Sequence, residues 1–282
     1  MISVIVPVRN GMPWLEEQLR ALSEQQCQEP WEVVVADNGS TDKSRLAVQE
    51  WANGSQMFRI VDASMAKGAG ATRNVGVEAA RGELLAFCDA DDVVQPGWLT
   101  AHVLALAEAD ASGGVVDFWS LNGRAAPYPP SYAIPPAMSQ FGFLPAAMSC
   151  NLALRRRAFE DLGGFTEDLM TGEDYDLCWR LQLSGRRYVL STNAVVARRD
   201  RRGFKELLSR FTAYGRCGPV LYRRYKADGL RRDLTLAAKT WVWLALSSPR
   251  LLRPEFRARW ASIAGWRIGR LVESARQRVL FL

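Results

Sequence analysis

Apolar residues follow two rhythms along the first 200 positions. Short runs that are apolar but for Ser3, Glu32 and Arg59, closed by turn residues, predict buried strands. These are Ile2–Val6, continuing to Pro7, then Trp31–Ala36, Phe58–Val61 and Leu84–Cys88. Between them the spacing changes to that of helices. Trp14, Leu15, Leu19 and Leu22 recur at three- and four-residue steps after Pro13, and proline suits the first turn of a helix. A second helix follows the turn Asp37-Asn38-Gly39-Ser40-Thr41-Asp42, whose side chains offer caps, and a third runs from about Ala71 to Ala80 after the loop Lys67–Gly70. Strands that alternate with helices predict a sheet of mainly parallel strands with helices on both faces, an α/β fold.

Further along, Pro96-Gly97-Trp98 opens a helix to about Ala109, and Val115–Leu121 predicts a fifth strand. Arg124–Met138 holds five prolines with Tyr128 and Tyr132 among them, which excludes a helix or a central strand. It is either a surface connection or a loop over a ligand. Strands are expected at Ala147–Leu154, Tyr188–Leu190 and Ala194–Ala197. Arg155-Arg156-Arg157 opens a helix that ends at Gly163-Gly164, and Leu177 and Leu181, with Trp179 or Tyr175, mark the apolar face of another. From Gly203 the pattern is helical throughout, with Trp241, Trp243, Trp260 and Trp266 set among arginines.

Composition adds an asymmetry. The 282 residues carry a formal charge of +6. From Arg198 onward there are 21 Lys/Arg against 6 Asp/Glu, a net +15, whereas the first 197 residues hold 15 against 24, a net −9. An acidic front and a basic tail suggest two jobs. For the tail, a membrane interface suits helices with Trp and Arg; a cap on the remaining fold and a nucleic-acid surface are the rival readings. Five cysteines, Cys27, Cys88, Cys150, Cys178 and Cys217, form no C-x-x-C pair, so reduced thiols in a cytosolic setting are expected rather than a disulfide frame or a zinc site. No basic leader precedes the first strand and no run of about 18 apolar residues occurs, so neither a secretory signal nor a membrane span is expected.

Chemistry gathers at one strand end. Leu84–Cys88 runs directly into Asp89, Asp91 and Asp92. Ligands of open α/β sheets bind beyond the carboxyl ends of strands. Crowded carboxylates need a positive partner, and a divalent cation that shares its oxygens with a phosphate is the simplest one; a solvated acidic turn is the plain alternative. Glu173 and Asp174 sit at the start of a helix, where they suit its dipole. The sole histidine, His102, lies on a helix and reads as a surface or packing residue.

Five segments in order, Ser3–Asn10, Val35–Asp42, Gly70–Asn74, Asp89-Ala90-Asp91-Asp92 and Gly172–Arg180, together with Gly163-Gly164-Phe165-Thr166-Glu167, resemble family 2 glycosyltransferases. The resemblance covers residues 1–200. It implies a GT-A type, Rossmann-like nucleotide-binding domain at 1–200, with a nucleotide-sugar half of about 1–122 and an acceptor half of about 139–200. Residues 201–282 are then a basic helical extension. It implies an inverting transfer from a nucleotide-diphosphate sugar (UDP-, GDP- or dTDP-linked) to an acceptor hydroxyl. Pro7, Val8 and Arg9 would meet the base and ribose, and Asn38 would read the pyrimidine N3–H. Arg73, Asp89, Ala90 and Glu173 would help hold the donor. Asp91, with Asp89, would bind Mg²⁺ or Mn²⁺, and Asp174 would be the catalytic base. The acceptor would be a membrane-associated glycan or lipid, or a secondary metabolite, with the protein cytoplasmic or on the inner face of the membrane and no nucleic-acid partner.

One departure stands out. Where relatives carry a histidine near the metal and diphosphate, this chain has Val195-Val-Ala-Arg198-Arg199. An arginine cannot ligate a cation but can pair with phosphate, so Arg198 or Arg199 is a candidate diphosphate contact. Two other classes compete. A nucleotidyltransferase would want a Gly-rich phosphate loop after the first strand, for which Asn10-Gly11 is a poor match. A non-catalytic binder of anionic surfaces would not need Asp91 or Asp174.

Overall fold

The first strand shows how this sequence makes a sheet with two covered faces. In a strand, alternate side chains point to opposite sides. Along β1 (Ile2–Val8), Val4, Val6 and Val8 join Leu15, Leu19 and Leu22 of α1 (Trp14–Ser23) in one apolar cluster. Ile5 points the other way, onto Gly76 of α3 (Gly68–Ala79). Burial on both sides is why the strand is apolar at nearly every position rather than alternating, with Ser3 the polar exception.

The computed structural model describes residues 1–123, 141–200 and 203–281. The Pro-rich stretch Arg124–Met138 lies outside the described residues, apart from which the chain divides into two compact units. One holds residues 1–117 and 144–199, and the other holds 118–123, 141–143, 200 and 203–281.

The first unit is built on a sheet whose further strands are β2 (Trp31–Asp37), β3 (Phe58–Asp62), β4 (Leu84–Phe87), β5 (Val93–Val94), β6 (Ala111–Asp117), β7 (Leu152–Arg155) and β8 (Tyr188–Ala197). Their order is β3-β2-β1-β4-β7-β6-β8-β5. The pairs β1/β2, β2/β3, β1/β4 and β6/β8 are parallel; β4/β7, β6/β7 and β5/β8 are antiparallel. The sheet is thus mixed and mainly parallel. Its helices are α1, α2 (Ser44–Gly54), α3, α4 (Trp98–Glu108), α5 (Arg156–Asp161) and α6 (Glu173–Leu183). Register sets the working edge. Val8 pairs with Asp37 and Ile5 with Phe87, so the segments after β1, β2 and β4 leave the sheet at one border.

β5 is a strand the sequence reading lacks, α3 begins at Gly68 inside the expected loop Lys67–Gly70, and three further elements differ. β6 begins at Ala111 and ends at Asp117, not Val115–Leu121. Ser112-Gly113-Gly114 looks like a turn by composition. A side chain at Gly113 would collide with the Tyr188 hydroxyl and Ala147, and one at Gly114 with Ala194 O and the Asn151 amide, so glycine there serves close packing inside a strand. Ala147–Leu154 is a 3₁₀ turn, Ser149–Asn151, leading into β7. Asn151, fully buried, draws the backbone off the strand: its Nδ2 donates to Val115 O (2.8 Å) and Ala194 O (3.0 Å), and its Oδ1 accepts from Trp98 Nε1 (2.9 Å) and from His102 Nε2 (2.9 Å). Finally, the two short strands near the end of the unit are one, β8. The polar residues Ser191, Thr192 and Asn193 between them fall where the register jumps from Gly114↔Ser191 to Val115↔Val195, an irregularity inside one strand.

The second unit contains α7 (Phe204–Gly215), α8 (Cys217–Tyr225), α9 (Leu234–Ser247) and α10 (Pro254–Gln277). Leu207, Phe211 and Ala261 form a small core between α7 and α10. Gly265 and Gly269 let the two backbones touch. A Cβ at Gly265 would lie 2.7 Å from Leu208 O, and one at Gly269 would overlap Thr212 O. Among the described residues no helix is long and apolar enough to cross a membrane. All five cysteines are free thiols.

Candidate active site

The loops after β1 and β2 are stitched together by short polar side chains. Asn10 adopts a positive φ of 55°, and its Oδ1 accepts from Thr41 N (2.8 Å) and Asp42 N (3.3 Å). In return Ser40 Oγ, Ser44 Oγ and Asp42 Oδ2 accept from the backbone N–H groups of Asn10, Gly11 and Met12. Beside this seam Pro7 is half-buried, Val8 is buried and Arg9 is exposed. Asn38 lies at the end of β2. Its Nδ2 faces three acceptors, Ala63 O (2.9 Å), Ala66 O (2.8 Å) and Thr72 Oγ1 (3.0 Å). Thr72 spends its own proton on Gly68 O, which fixes the orientation of the amide and turns Oδ1 away as an acceptor.

At the end of β4, Gln18 holds the acidic turn from below. It is fully buried, and its amide donates to Asp89 O (3.0 Å) and accepts from Val94 N (3.0 Å). Ala90 is buried, Asp91 half-buried and Asp92 buried. Asp92 accepts from Arg199 N (2.9 Å). Burial, then the neighbouring Asp91 and Asp89, hold the Asp92 carboxyl well above the usual carboxylate range. Arg199 grips the same turn: Nε donates to Asp91 O (3.2 Å), Nη2 pairs with Glu17 (2.5 Å), and the guanidinium stacks 4.0 Å from the Trp14 ring centroid. Arg198 donates through its backbone to Asp117 O (2.8 Å) and directs Nη1 at Met148 Sδ.

Arg73 joins the strand end to a distant helix. It is 2% exposed, and its guanidinium pairs with Asp89 (2.5 Å) through Nη2 and Glu173 (3.1 Å) through Nη1. Burial opposes its charge, but the two carboxylates outweigh burial and raise its pKa. Glu173 and Asp174 open α6. Glu173 is pushed up to about 7 by burial and by Asp174, against the pull of Arg73. Asp174 is also raised by burial. It accepts backbone bonds from Ser149 N (3.2 Å) and Tyr175 N (2.9 Å), which pull the other way. Two further clamps fix where α6 begins. Asn74 accepts from Phe165 N (3.0 Å) and donates to Phe165 O (2.9 Å), and Arg180 donates to Leu162 O (2.6 Å) and Gly164 O (2.7 Å). The Gly163–Glu167 segment is thereby tied to both α3 and α6.

Donor atoms of Asp89, Asp92 and Cys150 lie within 4.8 Å of one another, the metal-like grouping found among the described residues. It does not suit a hard cation. The Cys150 thiol is raised well above its ordinary value by burial and by Asp92 and Asp89, so it stays protonated, and sulfur is a soft ligand. Asp89, whose side chain is 34% exposed, and the half-buried Asp91 fit Mg²⁺ or Mn²⁺ better. Such ions accept one or two carboxylates and complete their shell with water and phosphate oxygens. His102 is no ligand. It is 1% exposed, bonded at both ring nitrogens to Ser112 and Asn151, and burial lowers its pKa to about 4.

Residues 3–163 match the sequence model described as Glycosyl transferase family 2. The chain belongs to that family. It is 28% identical over 261 residues to Glycosyltransferase AglE of Haloferax volcanii, covering 91% of this chain and 85% of AglE. Some curated relatives are longer: the chain spans 46% of the pre-mycofactocin glycosyltransferase of Mycobacterium tuberculosis. Among solved structures it resembles the mannosyltransferase PcManGT of Pyrobaculum calidifontis in complex with GDP-Man and Mn²⁺. That match has a TM-score of 0.68 and 21% identity, and covers 97% of this chain and 86% of that one. It also resembles Staphylococcus aureus TarS 1-349 in complex with UDP-GlcNAc, at TM-score 0.56 and 21% identity, covering 100% and 93%. The sheet is therefore that of a GT-A glycosyltransferase, and family membership decides for a glycosyltransferase over a nucleotidyltransferase.

Of the family-implied positions, Arg73, Asp89 and Glu173 meet in one ion-paired group, and Asp174 adjoins Glu173 in α6. Asn38 connects to α3 through Thr72, next to Arg73. Arg199 grips the acidic turn through Asp91 O. Gln18 and Ser149 are additions. Gln18 is a polar residue in the stripe Leu15, Leu19, Leu22, which is a legible signal. Ser149 acts through its backbone N–H and leaves none.

Proposed function

We propose that this chain moves a sugar from a nucleotide-diphosphate sugar to an acceptor hydroxyl in a single inverting displacement. Asp174 takes the acceptor's proton as that oxygen attacks the anomeric carbon, and the nucleoside diphosphate leaves from the opposite side. A carboxyl group raised above its usual range, as Asp174 is, is the better base near neutral pH. Ser149 N and Tyr175 N orient it. Arg73 sets the distance between the acidic turn and the start of α6. Asn38 Oδ1 accepts an imide N–H of the base, with Pro7, Val8 and Arg9 along the ribose. Asp91 and Asp89 would hold Mg²⁺ or Mn²⁺ together with the donor diphosphate, and that cation would neutralise charge on the departing group. Arg198 adds positive charge on that side, since Arg199 is committed to Glu17 and Trp14.

The observation that carries this reading is the Arg73 bridge from Asp89 to Glu173. It brings two segments 84 residues apart in sequence, the strand tip and the Glu-Asp helix start, to one guanidinium. We assign residues 1–200 to this chemistry, with a donor half to about 122 and an acceptor half from about 139, and residues 201–282 to a basic extension. We further propose that the extension holds the protein on the cytoplasmic face of an anionic membrane, where the acceptor is a lipid-linked glycan.

Two measurements test the transfer. A thermal-shift series with UDP, GDP and dTDP, with and without Mn²⁺, finds the base, because a ligand of the native state raises the melting point. Asp174→Asn then loses turnover while it still binds that nucleotide. Unchanged turnover in a folded Asp174→Asn protein would sink the assignment.

A further inference from the structure

On α9 and α10, Lys239, Arg259 and Arg267 make no ion pair with a described residue. Between α9 and α10 an open cleft of about 320 Å³ is lined by Lys239, Thr240, Trp243, Arg259 and Ile263. Arg259 lies over the Trp243 ring, 5.6 Å from its centroid. Neither Lys239 nor Arg259 has an ion-pair partner among the described residues. Arg267 of α10, 7% exposed, reaches Thr240 of this lining. Its Nη2 donates to Thr240 Oγ1 (2.8 Å) and Leu236 O (3.5 Å), both neutral acceptors, while Nη1 is buried without a partner. Burial lowers the Arg267 pKa, and the opposing influence is Asp233, whose carboxylate caps α9 through Leu236 N (2.8 Å). A buried guanidinium whose hydrogen bonds go to neutral acceptors is costly, and phosphate oxygens form charge-assisted bonds with cations such as Lys239 and Arg259 of the lining.

We propose that this cleft binds the phosphate of an anionic phospholipid. Its surroundings choose the lipid over a free anion. At 100° per residue, Val242, Lys239 and Leu246 share an arc of about 60° on α9, next to Trp243. Val242 is 58% exposed and Leu246 is 77% exposed. The 3₁₀ turn that follows, Ser248–Leu252, adds Leu252 at 85% exposure between Arg250 and Arg253. Apolar side chains bared beside cations, with an indole between them, match the boundary of headgroup and acyl chain. The site deepens the membrane proposal above and is independent of transfer: vesicle binding is read without sugar donor, so either reading can fail alone.

The test is co-sedimentation of the full chain with phosphatidylcholine vesicles, with and without phosphatidylglycerol, alongside thermal shift with inorganic phosphate. The expected result is binding only to the phosphatidylglycerol vesicles, weakened by salt. Lys239→Gln and Arg259→Gln should each lower the affinity about fivefold, as expected for one cation lost at an anionic surface. Leu246→Ser should lower it as well. All three sites are exposed, so melting points should stay at the wild-type value and report an intact fold. Equal vesicle binding by wild type and the Lys239→Gln/Arg259→Gln double variant would overturn the site. Stabilisation by inorganic phosphate without vesicle binding would overturn the lipid in favour of a soluble phosphate.

Discussion

Replacing Glu173 with glutamine removes one charge and almost no volume. The amide oxygen can still accept from Arg73 Nη1, so the bridge to Asp89 keeps its geometry. What changes is the proton balance. In the native state Glu173 is held at about 7, against 4.5 for the free side chain. Between those values the unfolded chain is ionised while the native chain keeps its proton, so native stability falls as pH rises through this window. At about 1.4 kcal/mol per pH unit the loss attributable to Glu173 is roughly 3 kcal/mol by pH 7 and above. Its side chain is only 9% exposed, so little of this is lost to solvent screening. Urea unfolding of wild type and Glu173→Gln, repeated from about pH 4.5 to 8, measures it. Asp92 is shifted in the same direction and is common to both proteins, whereas Asp174 interacts with Glu173, so the difference between the curves reports the Glu173–Asp174 pair. The variant should gain on the wild type as pH rises. A difference that stays constant across the window would refute the account of a desolvated carboxylate beside Asp174.

Four other outcomes follow from the geometry. Asp174→Asn should lower kcat by about 10²- to 10⁴-fold, the usual range for a lost general base, with donor KM unchanged; steady-state transfer kinetics check it. Asp91→Asn should abolish stimulation by Mn²⁺, and excess chelator should bring the wild type to the variant's rate; full activity in chelator removes the metal from the proposal. Asn38→Leu should destabilise by about 1–3 kcal/mol, because Ala63 O and Ala66 O lose a shared donor, and should weaken nucleoside diphosphate binding in calorimetry. Gly269→Val should cost at least the 1–3 kcal/mol of ordinary overpacking, since its Cβ would overlap Thr212 O between α7 and α10; thermal denaturation reads it.

Elements whose burial is uniform were plain in the sequence. β1, β2 and β4 are mainly apolar and buried, broken only by Ser3, Glu32 and Asp37, and the sequence places their ends to within a residue or so. β6 was misplaced because its first half is Ser112-Gly113-Gly114, residues selected by the closeness of Tyr188 and Asn151 rather than by strand preference. That closeness arises from contacts distant in the chain, which periodicity does not register. The same limit applies to the site. Asp89 and Glu173 could be named from their motifs, but their union through Arg73 depends on the way α3 lies between them. Arg199 is a candidate phosphate contact by sequence, and its contacts with Glu17 and Trp14, 182 and 185 positions earlier, are not legible there.

The burial of His102 has a bearing on kinetics. Burial keeps the lone imidazole neutral down to about pH 4, against the opposing effect of the hydrogen bond from Nε2 to Asn151 Oδ1. A rate profile that bends near neutrality therefore has no histidine to report. Under the proposed mechanism such a bend would report the carboxyl groups at the mouth of α6.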